Sequence, residues 1–264
     1  MTKTPWALIL GASSGFGEAC AIELARTGMH ILGVHLDRRE KLPHVEEVQK
    51  KIRELGREAV FFNFNAADDE RRYDMVEEMR QRLTADTANP GTVRVLVHSL
   101  AFGALRPLAG APEVINKQQM ELTADVMGHS LVFWVQDLLR AGLLENYSRI
   151  FAMTSGGSRS AIPQYGAVGA AKAALEAHIR QLAMELAPAG ITANAIMAGV
   201  TDSPALRQIP GHEKLMEFAK ARNPHKRLTR PEDVARCVAV LSHPGTYWMT
   251  GNVIQVDGGE NSVG

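Results

Sequence analysis

Trp6-Ala7-Leu8-Ile9-Leu10-Gly11-Ala12-Ser13-Ser14-Gly15-Phe16-Gly17 sets an apolar run directly against a glycine-rich turn, which opens into a helical pattern predicted over Gly17 to Thr27. Small residues at Gly11, Gly15 and Gly17 let the backbone turn tightly and approach a pyrophosphate, whose charge is favoured by the free N–H groups at a helix start. Taken alone, the turn also suits an ordinary strand-to-helix connection. Its Gly-x3-Gly-x-Gly spacing differs from the commoner Gly-x-Gly-x2-Gly fingerprint.

Outward from this turn the alternation repeats. Short apolar runs at Trp6 to Leu10, Ile31 to Val34, Val60 to Phe64, Val93 to His98, Arg149 to Met153, Ile191 to Met197 and Asn252 to Val256 predict strands. Between them, Gly17 to Thr27, Val45 to Leu55, Arg71 to Leu83, Asp125 to Leu144, Ala167 to Leu186 and Pro231 to Leu241 predict helices. This order predicts an α/β fold: one doubly wound parallel sheet of about seven strands with helices on both faces. The strands lack polar alternation, as burial on both faces requires. With 264 residues and no repeat, low-complexity tract or Pro/Gly/Ser-rich linker, a single domain over 1–264 is expected. Thr84 to Thr92, around Asn89-Pro90-Gly91, reads as a surface turn. The irregular stretch 199–226 is long enough to be a substrate-covering lid.

Lys plus Arg and Asp plus Glu are both 29, so no basic excess draws the chain to nucleic acid or an anionic membrane. No apolar run approaches the roughly 20 residues that span a bilayer, and Met1 to Trp6 lacks a secretory apolar stretch. Cys20 and Cys237 form no disulfide framework and suit a reducing cytoplasm. The histidines His98, His129, His178 and His243 have no metal-ligand spacing and read as structural or exposed; no metal is expected.

A second decisive stretch, Met153 to Lys172, leaves a strand and enters a helix with Tyr165 and Lys172 separated by six residues. Seven positions are close to two helical turns, so both side chains share a face. Together with Gly11-x3-Gly15-x-Gly17, Asn65-Ala66 after the third strand and Val256-Asp257-Gly258-Gly259 near the end, the pattern resembles the short-chain dehydrogenase/reductase family over essentially the whole chain. The resemblance implies a Rossmann-like sheet, a bound NAD(H) or NADP(H) and a homotetramer or homodimer. Cofactor contacts are implied for Gly11, Ser13, Ser14, Gly15, Phe16, Gly17, Asn65, Ala66, Ser99, Leu100, Ala101, Lys172, Thr201 and Ser203.

Most of that family spaces Tyr and Lys four apart, and here Val168 occupies that tyrosine's place. Tyr-x6-Lys is similar instead to the enoyl-acyl-carrier-protein reductases. The change has a chemical reason: a ketoreductase delivers hydride to the carbon bearing the oxygen, whereas an enoyl reductase delivers it to Cβ while charge grows on a thioester oxygen two carbons away. A tyrosine displaced by roughly 4 to 5 Å along the helix, at about 1.5 Å per residue, meets that oxygen. Tyr165 would then bond the enolate oxygen, and Lys172 would hold the nicotinamide ribose and lower the phenol pKa by its charge. Val97-His98-Ser99-Leu100-Ala101-Phe102 resembles the His-Ser-Ile-x-Phe of enoyl reductases, and Met127 stands where ketoreductases anchor a relay water through asparagine. Likeness to the NADPH-dependent subgroup runs through Leu105-Arg106-Pro107, Asp202-Ser203-x-Ala205-Leu206 and Ile209-Pro210.

Three points stay open. Many enoyl reductases carry a tyrosine where this chain has Ser155, which either bonds substrate or Tyr165 as a third catalytic residue or merely caps a strand end. His35 occupies the acid's place in NAD-preferring relatives, with Asp37 two residues on and Arg38 and Arg39 following. Either arginine and the Ser13 hydroxyl would favour a 2′-phosphate, so NADPH is expected over NADH. Leu206, Ile209, Leu215, Met216 and Phe218 either cover an acyl chain or form the inner face of a docked helix. The expected reaction is reduction of an acyl thioester, carried by acyl carrier protein or CoA. Alternatives are a carbonyl reductase using Ser155, Tyr165 and Lys172, and a cofactor-binding regulator without turnover.

Overall fold

In the computed structural model, which describes residues 3–263, the first strand β1 (Thr4–Leu10) becomes the middle of a sheet rather than its edge. Its residues divide by parity: Leu8 and Leu10 enter one apolar layer, Ala7 and Ile9 the other. A strand buried on both faces has no polar side, which is why its sequence reads as a continuous apolar run.

Six more strands complete the sheet: β2 (His30–His35), β3 (Ala59–Asn63), β4 (Gly91–His98), β5 (Arg149–Thr154), β6 (Thr192–Ala198) and β7 (Val253–Val256). All pairings are parallel, in the order β3-β2-β1-β4-β5-β6-β7. The helices are α1 (Gly15–Arg26), α2 (Leu42–Glu54), α3 (Asp69–Thr84), α4 (Lys117–Ala124), α5 (Ser130–Arg140), α6 (Gly166–Leu186), α7 (His212–Arg222) and α8 (Pro231–Leu241). One layer packs α1, α2 and α8 against the sheet through Cys20, Leu24, Val48, Ile52, Val234 and Val238. Trp134, Leu138, Leu175, Ile179, Val76 and Met79 of α5, α6 and α3 form the other. The predicted doubly wound architecture is therefore the observed one. The chain order reverses between β1 and β4, and at such a switch point the strand ends open a crevice for ligands.

Two elements differ from the sequence expectation. The helix predicted over Asp125 to Leu144 is two pieces, a π-helical turn Asp125–His129 and α5, which stops at Arg140, and it continues from α4 without a break. Its true start is written as a capping box, with Asn116 Oδ1 accepting from Gln119 N and Gln119 Oε1 accepting from Asn116 N. The stretch predicted as irregular, 199–226, contains a 3-10 turn at Leu206–Gln208 and the helix α7. That helix buries only Ala219 and starts at Gly211 with φ +77°, so it shows neither apolar periodicity nor a polar cap in its sequence.

Candidate active site

Each glycine of the first turn answers a different steric demand. A Cβ on Gly11 would lie 2.3 Å from the Ser99 carbonyl oxygen, and one on Gly17 would lie 1.9 Å from the Gly11 carbonyl oxygen. Gly15 instead needs its φ of +56°, a left-handed conformation that glycine adopts without strain. The turn is pinned from below by Gly11 N and Ala12 N, which donate to Val34 O at 2.8 and 3.0 Å. Ser14 stands at the N-cap of α1 in extended conformation, yet its side chain caps nothing, so first-turn N–H groups keep their capacity for an outside acceptor. A dinucleotide pyrophosphate fits this cradle on both counts, close backbone approach and free donors. Beside it runs a groove of about 540 Å³ lined by Ser13, Ser14, Gly15, Asp37, Lys41 and Ser203. Phe16 packs its ring into the layer beneath, so only its backbone can face that groove.

At the end of β2, His35 is buried at 6% exposure, and its Nδ1 lies 3.0 Å from Asp37 Oδ2. Burial pushes the imidazole pKa down while Asp37 pulls it up. The carboxylate is thus turned onto a protein partner, and Asn63 fixes its backbone by two hydrogen bonds. Arg38 and Arg39 stay exposed, and among the described residues neither guanidinium has an ion-pair partner. Asn65 lies exposed after β3, its Oδ1 accepting from Ala67 N, whereas Ala66 is buried with its carbonyl taken by Trp134 Nε1 at 2.8 Å. Thr201 is buried and donates to Gly199 O, and Ser203 Oγ accepts from Leu206 N. Ser203 joins the cradle groove, while the Thr201 hydroxyl is committed locally.

The reacting end gathers at the tips of β4 and β5. Tyr165 is the N-cap of α6, set there by Gln164 at φ +60°, a strained conformation for a residue with a Cβ. The phenol ring lies against Gly157, where a Cβ would sit 2.5 Å from the ring, and Gly157 O in turn lies against Gly169. Ser155 Oγ is 3.2 Å from the Tyr165 hydroxyl, so the serine is a partner of the phenol. Val168 is buried with Val126, Met127 and Ala171, and Tyr165 packs on this cluster. The place of the usual family tyrosine is therefore filled by hydrocarbon. Lys172, buried at 4% exposure, donates to Met153 O at 2.8 Å and to Leu100 O at 3.4 Å, which ties the Ser99-Leu100-Ala101 segment to α6.

The electrostatics depart from expectation. Burial raises the Tyr165 pKa, and the group drawing it down is Ser155 rather than the Lys172 charge. Desolvation lowers Lys172 to about 7, so its ammonium is only marginally held without further acceptors.

Glu176, one turn beyond Lys172, was not singled out by the sequence. Its buried Oε1 accepts from Thr154 Oγ1 at 2.8 Å and from Ser158 Oγ at 2.6 Å, clamping both sides of Ser155 to α6. The signal was its position four residues after the lysine on the same helical face. The Asp257 motif anchors the base of the 199–226 segment: Asn223 Nδ2 donates to Asp257 O, and Glu260 accepts from Val200 N. In that segment Leu206, Ile209, Leu215 and Met216 are half-buried and Phe218 is 64% exposed, so they do not form the inner face of a docked helix. No group of three or more His, Cys, Asp or Glu is placed to bind a metal, and no helix is long and apolar enough to cross a membrane, among the described residues.

The family profile described as "Enoyl-(Acyl carrier protein) reductase" matches residues 11–261. An uncharacterized oxidoreductase, YjdA of Bacillus subtilis, is 28% identical over 96% of this chain and 95% of its own. The 1-cyclohexenylcarbonyl-CoA reductase of Streptomyces collinus is 28% identical over 97% of this chain and 86% of its own. The crystal structure of the enoyl-[acyl-carrier-protein] reductase (NADH) of Aquifex aeolicus superimposes with a TM-score of 0.86 at 25% identity, covering 99% and 98% of the two chains. Relatives named for NADH and for NADPH both occur.

Proposed function

This chain belongs to the enoyl-(acyl carrier protein) reductase family of short-chain dehydrogenase/reductases, and from that premise we propose that it reduces the β-carbon of a 2-enoyl thioester at the expense of NADPH. The carrying observation is the seven-residue step from Tyr165 to Lys172, with Ser155 Oγ 3.2 Å from the phenol and Val168 filling the alternative position. A bound nicotinamide supplies the hydride. The chain's residues do the rest: Tyr165 donates to the thioester oxygen as negative charge grows there, Ser155 orients the phenol, and Lys172 holds the ribose. Solvent water supplies the proton that bonds to Cα as the enolate collapses, releasing hydroxide to bulk buffer, and Tyr165 keeps its own. Because burial raises the phenol pKa, Tyr165 stays protonated and able to donate at neutral pH.

Assays with crotonyl and acetoacetyl thioesters, followed by NADPH and NADH absorbance, test this reading. Consumption with crotonyl thioester is expected, with KM falling as the chain lengthens, because exposed Phe218 and half-buried Leu215 and Met216 of the 199–226 segment offer apolar surface to close over an acyl group. Turnover of the ketoester alone would replace this reading with a carbonyl reductase, which the same Ser155–Tyr165 pair could serve. Whether acyl carrier protein or CoA delivers the substrate is decided by comparing the two esters.

NADPH is favoured by the exposed guanidiniums of Arg38 and Arg39 just after β2, which have no ion-pair partner among the described residues, and by the Asp37 carboxylate being engaged with His35. Arg38→Ala is expected to weaken NADPH about tenfold, the loss of one charge-assisted bond, while NADH changes less than about twofold. Fluorescence titration of both nucleotides measures this, and equal loss for the two would remove the 2′-phosphate assignment. A cytoplasmic homotetramer or homodimer completes the proposal, since the cysteines are free and the strongly exposed Trp248 and Val240 suit a subunit contact.

A further inference from the structure

His98 ends β4 and is fully buried, on the sheet face that packs α5 and α6. Its Nε2 lies 2.9 Å from Ser130 Oγ, and that hydroxyl donates its only proton to Val126 O at 2.9 Å. The arrangement that satisfies every donor puts the ring proton on Nε2 and leaves a lone pair on Nδ1. That Nδ1 is buried and, among the described residues, makes no hydrogen bond. An unpaired buried acceptor is costly and calls for a donor. The Lys172 charge bears on this ring, and its ammonium has capacity to spare, with three protons against two carbonyl acceptors, Met153 O and Leu100 O. Leu100 is two residues beyond His98, and Met153 follows Ala152, the β5 residue paired with His98.

We propose that His98 is a positioning residue for Lys172: its Nδ1 lone pair accepts from the ammonium, directly or through one enclosed water, beside Met153 O, and keeps it charged while the proton now on the long contact to Leu100 O turns to the ribose. The inference rests on the reading that Lys172 serves the cofactor ribose. The imidazole suits the task because it stays neutral: burial and the lysine charge hold its pKa down to about 3, against a smaller upward pull from its own backbone carbonyl. The other ionisable groups on the packed elements are engaged or remote in role. Glu176 on α6 binds Thr154 and Ser158, Tyr165 binds Ser155, and His129 of the π-helical turn faces His178 at 3.0 Å while Asp125 of that turn is only partly buried.

Two substitutions separate positioning from plain structure. In His98→Asn the amide oxygen takes the place of Nδ1 and the Ser130 contact is lost; in His98→Gln the amide nitrogen keeps Ser130 and the Nδ1 acceptor is lost. Lys172 is titrated by side-chain NMR in the cofactor-free protein, and NADPH affinity is measured against pH. His98→Gln is expected to lower the Lys172 midpoint by about one pH unit, the scale of one charge-assisted bond, and to weaken NADPH about fivefold at pH 8. His98→Asn should keep the midpoint within about 0.3 pH unit and the affinity within about twofold of the parent. Equal shifts in both variants, or none in His98→Gln, would overturn the proposal. Should either variant fail to fold, 15N-histidine spectra of the unsubstituted protein decide: an unprotonated Nδ1 whose shift follows the lysine titration is expected, and an Nδ1–H tautomer refutes it. A lysine that responds as expected in a protein that turns over no enoyl or keto thioester leaves this proposal standing and removes the functional one.

Discussion

Tyr165→Phe is expected to lower kcat on crotonyl thioester by about 10²- to 10³-fold, the usual cost of removing one donor aimed at a developing oxyanion. The substitution deletes one oxygen and nothing else. The ring keeps its seat against Gly157, its contact with the Val126, Met127 and Val168 cluster, and the α6 N-cap backbone that Gln164 sets. Ser155 loses its partner, but it is half-buried and water can replace the phenol, so stability should change by less than about 1 kcal/mol. NADPH affinity should be unchanged, because the groups assigned to it lie at the cradle and at Lys172. The expected signature is thus a fall in kcat with KM and nucleotide Kd within about threefold, the pattern of an interaction made only in the transition state. Stopped-flow single turnover at saturating nucleotide isolates the step. A variant that keeps more than about a third of parental kcat would show that charge on the thioester oxygen is stabilised elsewhere, and the six-residue gap would lose its meaning.

The seven strands and the helices on both faces were legible because burial on two faces leaves the same apolar mark in every strand, as in Trp6-Ala7-Leu8-Ile9-Leu10, while their order in the sheet was not read. The pairing of Tyr165 with Ser155 was open in the sequence and is a contact in the structure. What could not be read were interactions set by distance across elements. His98 was read as structural or exposed because nothing in its sequence neighbours betrays that Ser130, on α5, bonds Nε2 and leaves Nδ1 without a hydrogen bond among the described residues. The opposing pKa shifts of Tyr165 and Lys172 arise from how deeply each is buried, and depth is a tertiary property. Likewise α7 is invisible to periodicity because one residue, Ala219, is all it buries. The π-helical turn Asp125–His129 placed Met127 beside Val168 in a way an uninterrupted helix would not.

Gly17→Ala tests the cradle itself and should cost more than its single methyl suggests. The added carbon would lie 1.9 Å from Gly11 O and 2.7 Å from Gly11 C, both backbone atoms. Neither can retreat: Gly11 N and Ala12 N are bonded to Val34 O, and Gly11 itself has the Ser99 carbonyl where a Cβ would be. The start of α1 must therefore lift away from β1. Overpacking of this kind costs about 2 to 3 kcal/mol, which for a chain of this size lowers Tm by roughly 4 to 12 °C. Lifting the helix also withdraws the N–H groups assigned to the pyrophosphate, so NADPH Kd should rise at least about tenfold, one charge-assisted bond or more. Gly15→Ala is the informative contrast. Its φ of +56° imposes strain, but the nearest foreign atom to a Cβ there is Ser203 Cβ at 4.0 Å. Strain alone costs about 1 to 2 kcal/mol, and the helix start keeps its place, so nucleotide affinity should fall far less than stability. Differential scanning calorimetry and nucleotide titration on both variants separate the two causes. If Gly17→Ala binds NADPH like the parent, the pyrophosphate does not sit on this helix, and the cofactor must approach the strand ends by another route.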